Sequence, residues 1–304
     1  MLFRNLLNVF LSNVFLSIAL WLLPLPAFAD GMPIVATTKE VIHAGVLAFQ
    51  KEDYASAIEH FNQAIQLDSN DAVAYSDRCL TYLQLKDYSA ATLDCTQALA
   101  LNPNSVETYL NRGLAYYKSG KFTEAIADYT QVLQLKPNDY RAYYNRGLAE
   151  VDLAAYRDAM VDYGQALRQA SPLDRLTLAE IYNDRGLAQV LLNDQQGAIA
   201  DFTQAIQFNT ADIRAYYNRG CVYHQKGDRV AALEDFNQVL QRDPHEVRTY
   251  VSRGLLHQEM GKMGEAIADL KQAAEALNRQ GATADYQQVL RLIQKMLPGT
   301  IAFG

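Results

Sequence analysis

Apolar side chains along this chain recur three and four residues apart in short bursts, each followed by a turn and a second burst. From Val106 to Asp139, Tyr109, Leu110, Gly113, Leu114 and Tyr117 share one helical face. Ser119, Gly120 and Lys121 interrupt it, and Ala125, Ile126, Tyr129, Val132 and Leu133 resume the same rhythm. Pro137 with Asn138 ends the second helix, because proline lacks a backbone donor and crowds the preceding turn. The spacing predicts two helices folded back on each other within 34 residues. Neither could bury its apolar face alone.

The same unit recurs on both sides. The small residue of its Asn-Arg-Gly triplet falls at Gly45, Cys79, Gly113, Gly147, Gly186, Gly220 and Gly254, in steps of 34, 34, 34, 39, 34 and 34. A fixed period of this size predicts a solenoid in which each helical pair contacts only its neighbours. An aromatic stands four places before the marker at Tyr75, Tyr109, Tyr143, Tyr182, Tyr216 and Tyr250. Ala57, Ala91, Ala125, Ala159, Ala198, Ala232 and Ala266 follow twelve places after it. A second large residue comes four later, as Phe61, Tyr129, Tyr163, Phe202 and Phe236, with Cys95 and Leu270 in the remaining units. Pro103, Pro137 and Pro244 close three units.

On these residues the chain resembles tetratricopeptide repeat (TPR) proteins from about Thr38 to Leu277. The resemblance implies an all-α, right-handed superhelical solenoid of seven helix-turn-helix units. Their approximate bounds are 38–71, 72–105, 106–139, 140–173, 179–212, 213–246 and 247–280, with an insertion near 172–178. The insertion reads either as a lengthened helix or loop, or as a kink dividing four units from three. After Gly281, Tyr286, Val289, Leu290, Ile293 and Met296 form one stripe, predicting a capping helix over 282–297 that covers the last pair.

The N-terminus is of another kind. Arg4 is the only charge before Asp30, Leu6 to Leu23 is largely apolar, and Ala27-Phe28-Ala29 supplies a small-residue cleavage site. This predicts a signal peptide over 1–29 and a short lead-in over 30–37; an uncleaved membrane anchor is the other reading. Cleavage makes the formal charge of −7 one unit more negative. An acidic chain with no basic run is a poor candidate for nucleic acid or anionic membrane surfaces. No further segment is long enough to span a bilayer. The expected setting is an exported compartment, with bacterial periplasm ahead of a thylakoid lumen or the exterior.

Candidate chemistry is sparse. An arginine precedes the marker six times, and an aspartate follows it sixteen places on. The pairs are Arg78 with Asp94, Arg112 with Asp128, Arg146 with Asp162, Arg185 with Asp201, Arg219 with Asp235, and Arg253 with Asp269. They read as a ladder of structural ion pairs, or as arginines that capture carboxylates of a partner.

The resemblance implies that the first helix of each unit lines a concave groove. The residues expected to meet a partner are Leu114, Tyr117, Arg141, Tyr144, Asn145, Leu148, Asn183, Leu187, Arg214, Tyr217, Asn218 and His224. Relatives that clamp a C-terminal carboxylate do so with a lysine- and asparagine-rich set, and this chain has leucines at a place where that clamp uses asparagine, so an extended or helical protein segment fits better. Cys79 and Cys95 replace the small residue and the second aromatic of unit two. They read as one disulfide or as two buried thiols, with Cys221 left over.

No phosphate-binding, nucleophile-elbow or zinc-protease motif occurs, and the five histidines are scattered. We therefore expect no catalytic residue, metal or cofactor. The expected function is a non-catalytic protein-binding scaffold; a self-associating structural component and an accessory subunit of an enzyme complex are the alternatives.

Overall fold

A computed structural model describes residues 37–297. The expected signal peptide and nearly all of the lead-in lie outside the described residues, which form fifteen α-helices and no strand. The chain divides into two compact units, Met1–Leu153 and Ala154–Gly304.

The first unit contains α1 (Thr38–Gln50), α2 (Tyr54–Leu67), α3 (Ala72–Gln84), α4 (Tyr88–Leu101), α5 (Val106–Lys118), α6 (Phe122–Leu135) and α7 (Tyr140–Asp152). The second contains α8 (Tyr156–Gln169), α9 (Arg175–Leu191), α10 (Gln195–Phe208), α11 (Ile213–Gln225), α12 (Arg229–Arg242), α13 (Val247–Glu259), α14 (Met263–Arg279) and α15 (Thr283–Met296). These are the two helices of each predicted hairpin in order, with hairpin four giving α7 to one unit and α8 to the other. Within each unit a second helix packs between its own first helix and the first helix of the next hairpin, and successive first helices touch one another.

Local chemistry explains the boundaries. Aspartate side chains cap α2, α3, α4, α7, α9, α10, α11 and α12, accepting from amides that lack helical partners. Thr37 and Glu40 form a reciprocal capping box on α1. Every hairpin turns through one residue with positive φ: Glu52, Lys86, Gly120, Ala154, Asn193, Gly227 and Gly261. Only three of these are glycine, so packing of the hairpin imposes the left-handed turn on Glu52 and Lys86 despite its steric cost.

The core sits where the two helices of a hairpin cross. A Cβ added at Gly113 would lie 2.6 Å from Tyr129 Cε1, and one at Gly186 would lie 2.7 Å from Phe202 Cε1. Gly45 against Phe61 and Gly220 against Phe236 repeat the arrangement. Tyr129, Phe61, Phe202 and Phe236 are almost fully buried. In hairpin two the same place holds a disulfide between Cys79 and Cys95, with Cα atoms 5.4 Å apart and both side chains fully buried.

The insertion lengthens α9 to 17 residues, against 13 in the other first helices, leaving Leu173 and Leu176 exposed at its start. At the C-terminus, Val289, Ile293 and Met296 of α15 cover Leu270, Ala273, Ala274 and Leu277 of α14. Burying this apolar stripe removes the exposed end that an open solenoid would otherwise present.

Candidate partner-binding face

Five of the six arginines of the predicted ladder each hold an aspartate of their own hairpin through two parallel bonds. Arg112 Nε and Nη2 donate to Asp128 Oδ2 and Oδ1 at 2.9 and 2.7 Å. Arg78–Asp94, Arg185–Asp201, Arg219–Asp235 and Arg253–Asp269 repeat this fork, with closest approaches of 2.6 to 2.8 Å. Of the sixth pair, Arg146 lies in the first unit and Asp162 in the second.

The remaining nitrogen reaches a side chain sixteen residues back, on the second helix of the preceding hairpin. Its acceptors are Asn62 for Arg78, Thr96 for Arg112, Thr130 for Arg146, Thr203 for Arg219 and Asn237 for Arg253. For Arg185 the equivalent place across the insertion is Gly164, which has no side chain to accept. In the sequence this second set of contacts is visible as a polar residue recurring with the period, at Asn62, Thr96, Thr130, Thr203 and Asn237.

Each of these six arginines also lies 5.3 to 5.9 Å from the ring of the tyrosine three residues earlier. Burial pushes the carboxyls of Asp128 and Asp235 up, against the opposing hydrogen bonds from Arg112 and Arg219. The hydrogen bond to Asp128 pushes Arg112 up. Desolvation thus opposes the pairing at these two aspartates.

Polar contacts also link successive first helices, at separations of 34 and 35 residues. In the first unit Arg141 meets Glu107 at 2.7 Å and its own cap Asp139 at 2.8 Å. In the second, Asn218 Nδ2 donates to Asn183 Oδ1 at 3.0 Å, Tyr217 Oη lies 3.2 Å from Ser252 Oγ, and His224 Nε2 lies 3.0 Å from Glu259 Oε1. Arg214 is held by Asp212 at 2.7 Å and approaches Glu180 at 3.9 Å. Burial pushes Glu180 up to about 7 against the pull of Arg214, with Asp184, Asp212 and Asp174 adding to the rise.

The twelve expected partner-facing residues therefore fall into two sets of six. Leu114, Tyr117, Arg141, Tyr144, Asn145 and Leu148 share the first unit; Asn183, Leu187, Arg214, Tyr217, Asn218 and His224 share the second. Leu114, Tyr117, Leu148, Leu187, Tyr217, Asn218 and His224 are half-buried on their first helices. Tyr144, Asn145 and Asn183 differ from expectation, being only 6, 4 and 2% exposed. Close stacking of successive first helices turns these positions into helix–helix contacts and leaves little of them for a partner.

Cys221 stands half-buried beside Tyr217, and burial pushes its thiol up, away from the thiolate form that reacts. Among the described residues, no cluster of three or more histidines, cysteines or carboxylates could hold a metal ion, and no helix is long and apolar enough to cross a membrane.

Comparison with known proteins agrees with this architecture. Profiles of the TPR repeat match residues 45–86, 80–120, 113–153 and 186–227, and profiles of the tetratricopeptide repeat match 213–246 and 247–276. Together they span well over half of the sequence, and the chain belongs to the tetratricopeptide repeat family. Among solved structures it is similar to the MamA protein, at 28% identity over 58% of this chain and 94% of that one, with a TM-score of 0.52.

It is also similar to YrrB, a TPR protein with an unusual peptide-binding site, at 21% identity over 66% of this chain and 97% of that one, with a TM-score of 0.53. A tetratricopeptide repeat protein from Parabacteroides merdae shares 20% identity over 84% of this chain and 98% of its own, with a TM-score of 0.62. The last two likenesses bear on fold alone. Among curated proteins nothing matches the chain.

Proposed function

We propose that this protein is an exported, non-catalytic scaffold that holds an extended or helical segment of a partner protein against its first helices. The observation that carries the reading is the tetratricopeptide array itself, whose first helices present half-buried leucines at one repeating position, Leu80, Leu114, Leu148, Leu187 and Leu255. Three of these leucines belong to the first unit and two to the second, and apolar positions edged by polar groups suit an amphipathic or extended peptide. YrrB carries a peptide-binding site on the same fold, which supports the reading by analogy of architecture. The apolar N-terminal segment and the Cys79–Cys95 disulfide both favour export, since such bonds persist in oxidising compartments.

Affinity capture from the native envelope fraction tests this, using the full chain beside a variant carrying Tyr117→Ala, Lys118→Ala and His224→Ala. The reading expects a partner retained by the unaltered chain and lost by the variant. Equal retention by both moves the contact off the first helices. Recovery of this chain alone, with mass rising with concentration, favours a self-associating component instead. Export is checked by intact mass, which should show a chain beginning at Asp30.

A further inference from the structure

On the first helices, side chains 35 residues apart face each other: Asn183 with Asn218, Tyr217 with Ser252, His224 with Glu259. The same step within the first unit gives different results. Thirty-five residues before Asn145 stands Leu110, and Asn145 Nδ2 is buried without a hydrogen-bond partner. Thirty-five residues before Asp77 stands Ile42, a partly buried apolar residue.

The half-buried Asp77 carboxylate has no ion pair or hydrogen bond among the described residues. The arginines nearest in sequence are engaged elsewhere, Arg78 with Asp94 and Asn62, Arg112 with Asp128 and Thr96. Burial, with Asp71 adding to it, pushes Asp77 up to about 6. A half-buried carboxylate without a counter-charge is unfavourable in the free protein, and an incoming cation relieves it.

Its surroundings are apolar. Val73, Asp77 and Leu80 lie on one face of α3 at i, i+4 and i+7. Val73 is 54% exposed, whereas the equivalent places carry charged residues, Lys39 on α1 and Glu107, Arg141, Glu180, Arg214 and Arg248 on α5, α7, α9, α11 and α13, the last five each close to an oppositely charged side chain. Leu80 and Leu114 are partly buried and both pack against the hairpin-two core.

Resting on the scaffold reading above, we infer that this face of α3 is the anchor point for the partner, and that it takes a lysine or arginine flanked by apolar residues. The cation neutralises Asp77 while the apolar neighbours cover Val73, Leu80 and Leu114. On α9 the exposed Leu176 also stands one turn before a carboxylate, but there Glu180 approaches Arg214 at 3.9 Å, whereas Asp77 has no such counter-charge among the described residues.

A display library of random dodecapeptides, panned against the immobilised full chain and against Asp77→Asn, tests the inference. The full chain should enrich peptides with a lysine or arginine beside aliphatic or aromatic residues. Asp77→Asn should still select peptides, with cation frequency back at the library level. The dominant peptide should bind Asp77→Asn at least tenfold more weakly and Asp77→Glu within a few-fold. Equal affinity for the full chain and Asp77→Asn, or selected peptides without cations, would overturn the anchor and leave the scaffold standing. Enrichment of no peptide by either protein would sink the scaffold reading and the anchor with it.

Discussion

Hairpins two and six are built to one plan and hold themselves together differently. In hairpin six Gly220 receives the ring of Phe236, while Arg219 bridges Asp235 and Thr203. Its first-helix polar groups find partners on both neighbours, Asn218 on Asn183 and Tyr217 on Ser252. Hairpin two keeps the arginine fork through Arg78 and Asp94, but replaces the glycine–aromatic contact with a disulfide and leaves Asp77 unpaired. A repeat therefore tolerates exchange of its central contact so long as the helix separation is kept. The two hairpins differ further along their first helices, where Asn218 has a partner and Asp77 has none among the described residues.

The largest expected difference lies in the centre of each hairpin. Phe236→Ala should destabilise hairpin six by about 3–5 kcal/mol, because the void beside Gly220 cannot close without moving α11 against α12. Hydrogen exchange should localise the loss to those helices and their neighbours, since repeats interact chiefly with what they touch. Unaltered protection in α11 and α12 would show that the ring is dispensable.

Next comes the covalent replacement. The paired change Cys79→Ala and Cys95→Ala should lower stability by about 2–4 kcal/mol, roughly the value for a loop of this size. Reductant should reproduce the loss in α3 and α4 and leave α11 and α12 unaffected. Equal sensitivity of both hairpins would end the distinction between them.

The ion-pair fork is shared, so it sharpens the comparison from the other side. Arg219→Met alone should cost about 2–4 kcal/mol by stranding the buried Asp235, whereas adding Asp235→Leu should recover most of it. Urea denaturation of both variants reads the difference. A double variant no more stable than Arg219→Met would mean that the pair is net stabilising.

The smallest effect concerns Asp77. Its folded-state pKa of about 6 lies above the unfolded value, so the native state takes up a proton first as pH falls. Its favourable contribution is fully present below the unfolded value and is lost as pH rises through about 6. Asp77→Asn should therefore be more stable than the unaltered chain at pH 7.5, by an amount on the order of 1–2 kcal/mol, with the gap closing by pH 4. Denaturation midpoints across that range measure it. A variant less stable at pH 7.5 would show that the carboxylate has a favourable partner.

The repeat period made most of the fold legible before any coordinates. The marker residues, the alanines twelve places on and the large residues beyond them are sites where helices nearly touch, so their identity is constrained in every copy. The stripe from Tyr286 to Met296 announced a covering helix for the same reason, having no polar alternative. The turns were less legible: Gly120, Gly227 and Gly261 signal a left-handed residue, but Glu52 and Lys86 take that conformation only because the packed hairpin forces it.

The partner-facing row was legible in outline only. Tyr144, Asn145 and Asn183 sit at positions that the family resemblance assigns to an open face, yet all three are buried, and helical phase alone does not report how closely neighbours stack. Asp77 carries no local signal. Its meaning emerges only from the 35-residue register that sets it against Ile42, a relation between two helices that sequence spacing does not single out.

The most direct measurement is site-specific photo-cross-linking in cells, with the reactive residue at Leu80 in one protein and at Leu93 in another. Leu80 lies on the face carrying Asp77, while Leu93, 71% exposed, lies on the second helix of the same hairpin. The account predicts a cross-linked partner from Leu80, mapped to a peptide containing lysine or arginine, and none from Leu93. The same partner from Leu93 with nothing from Leu80 would contradict it.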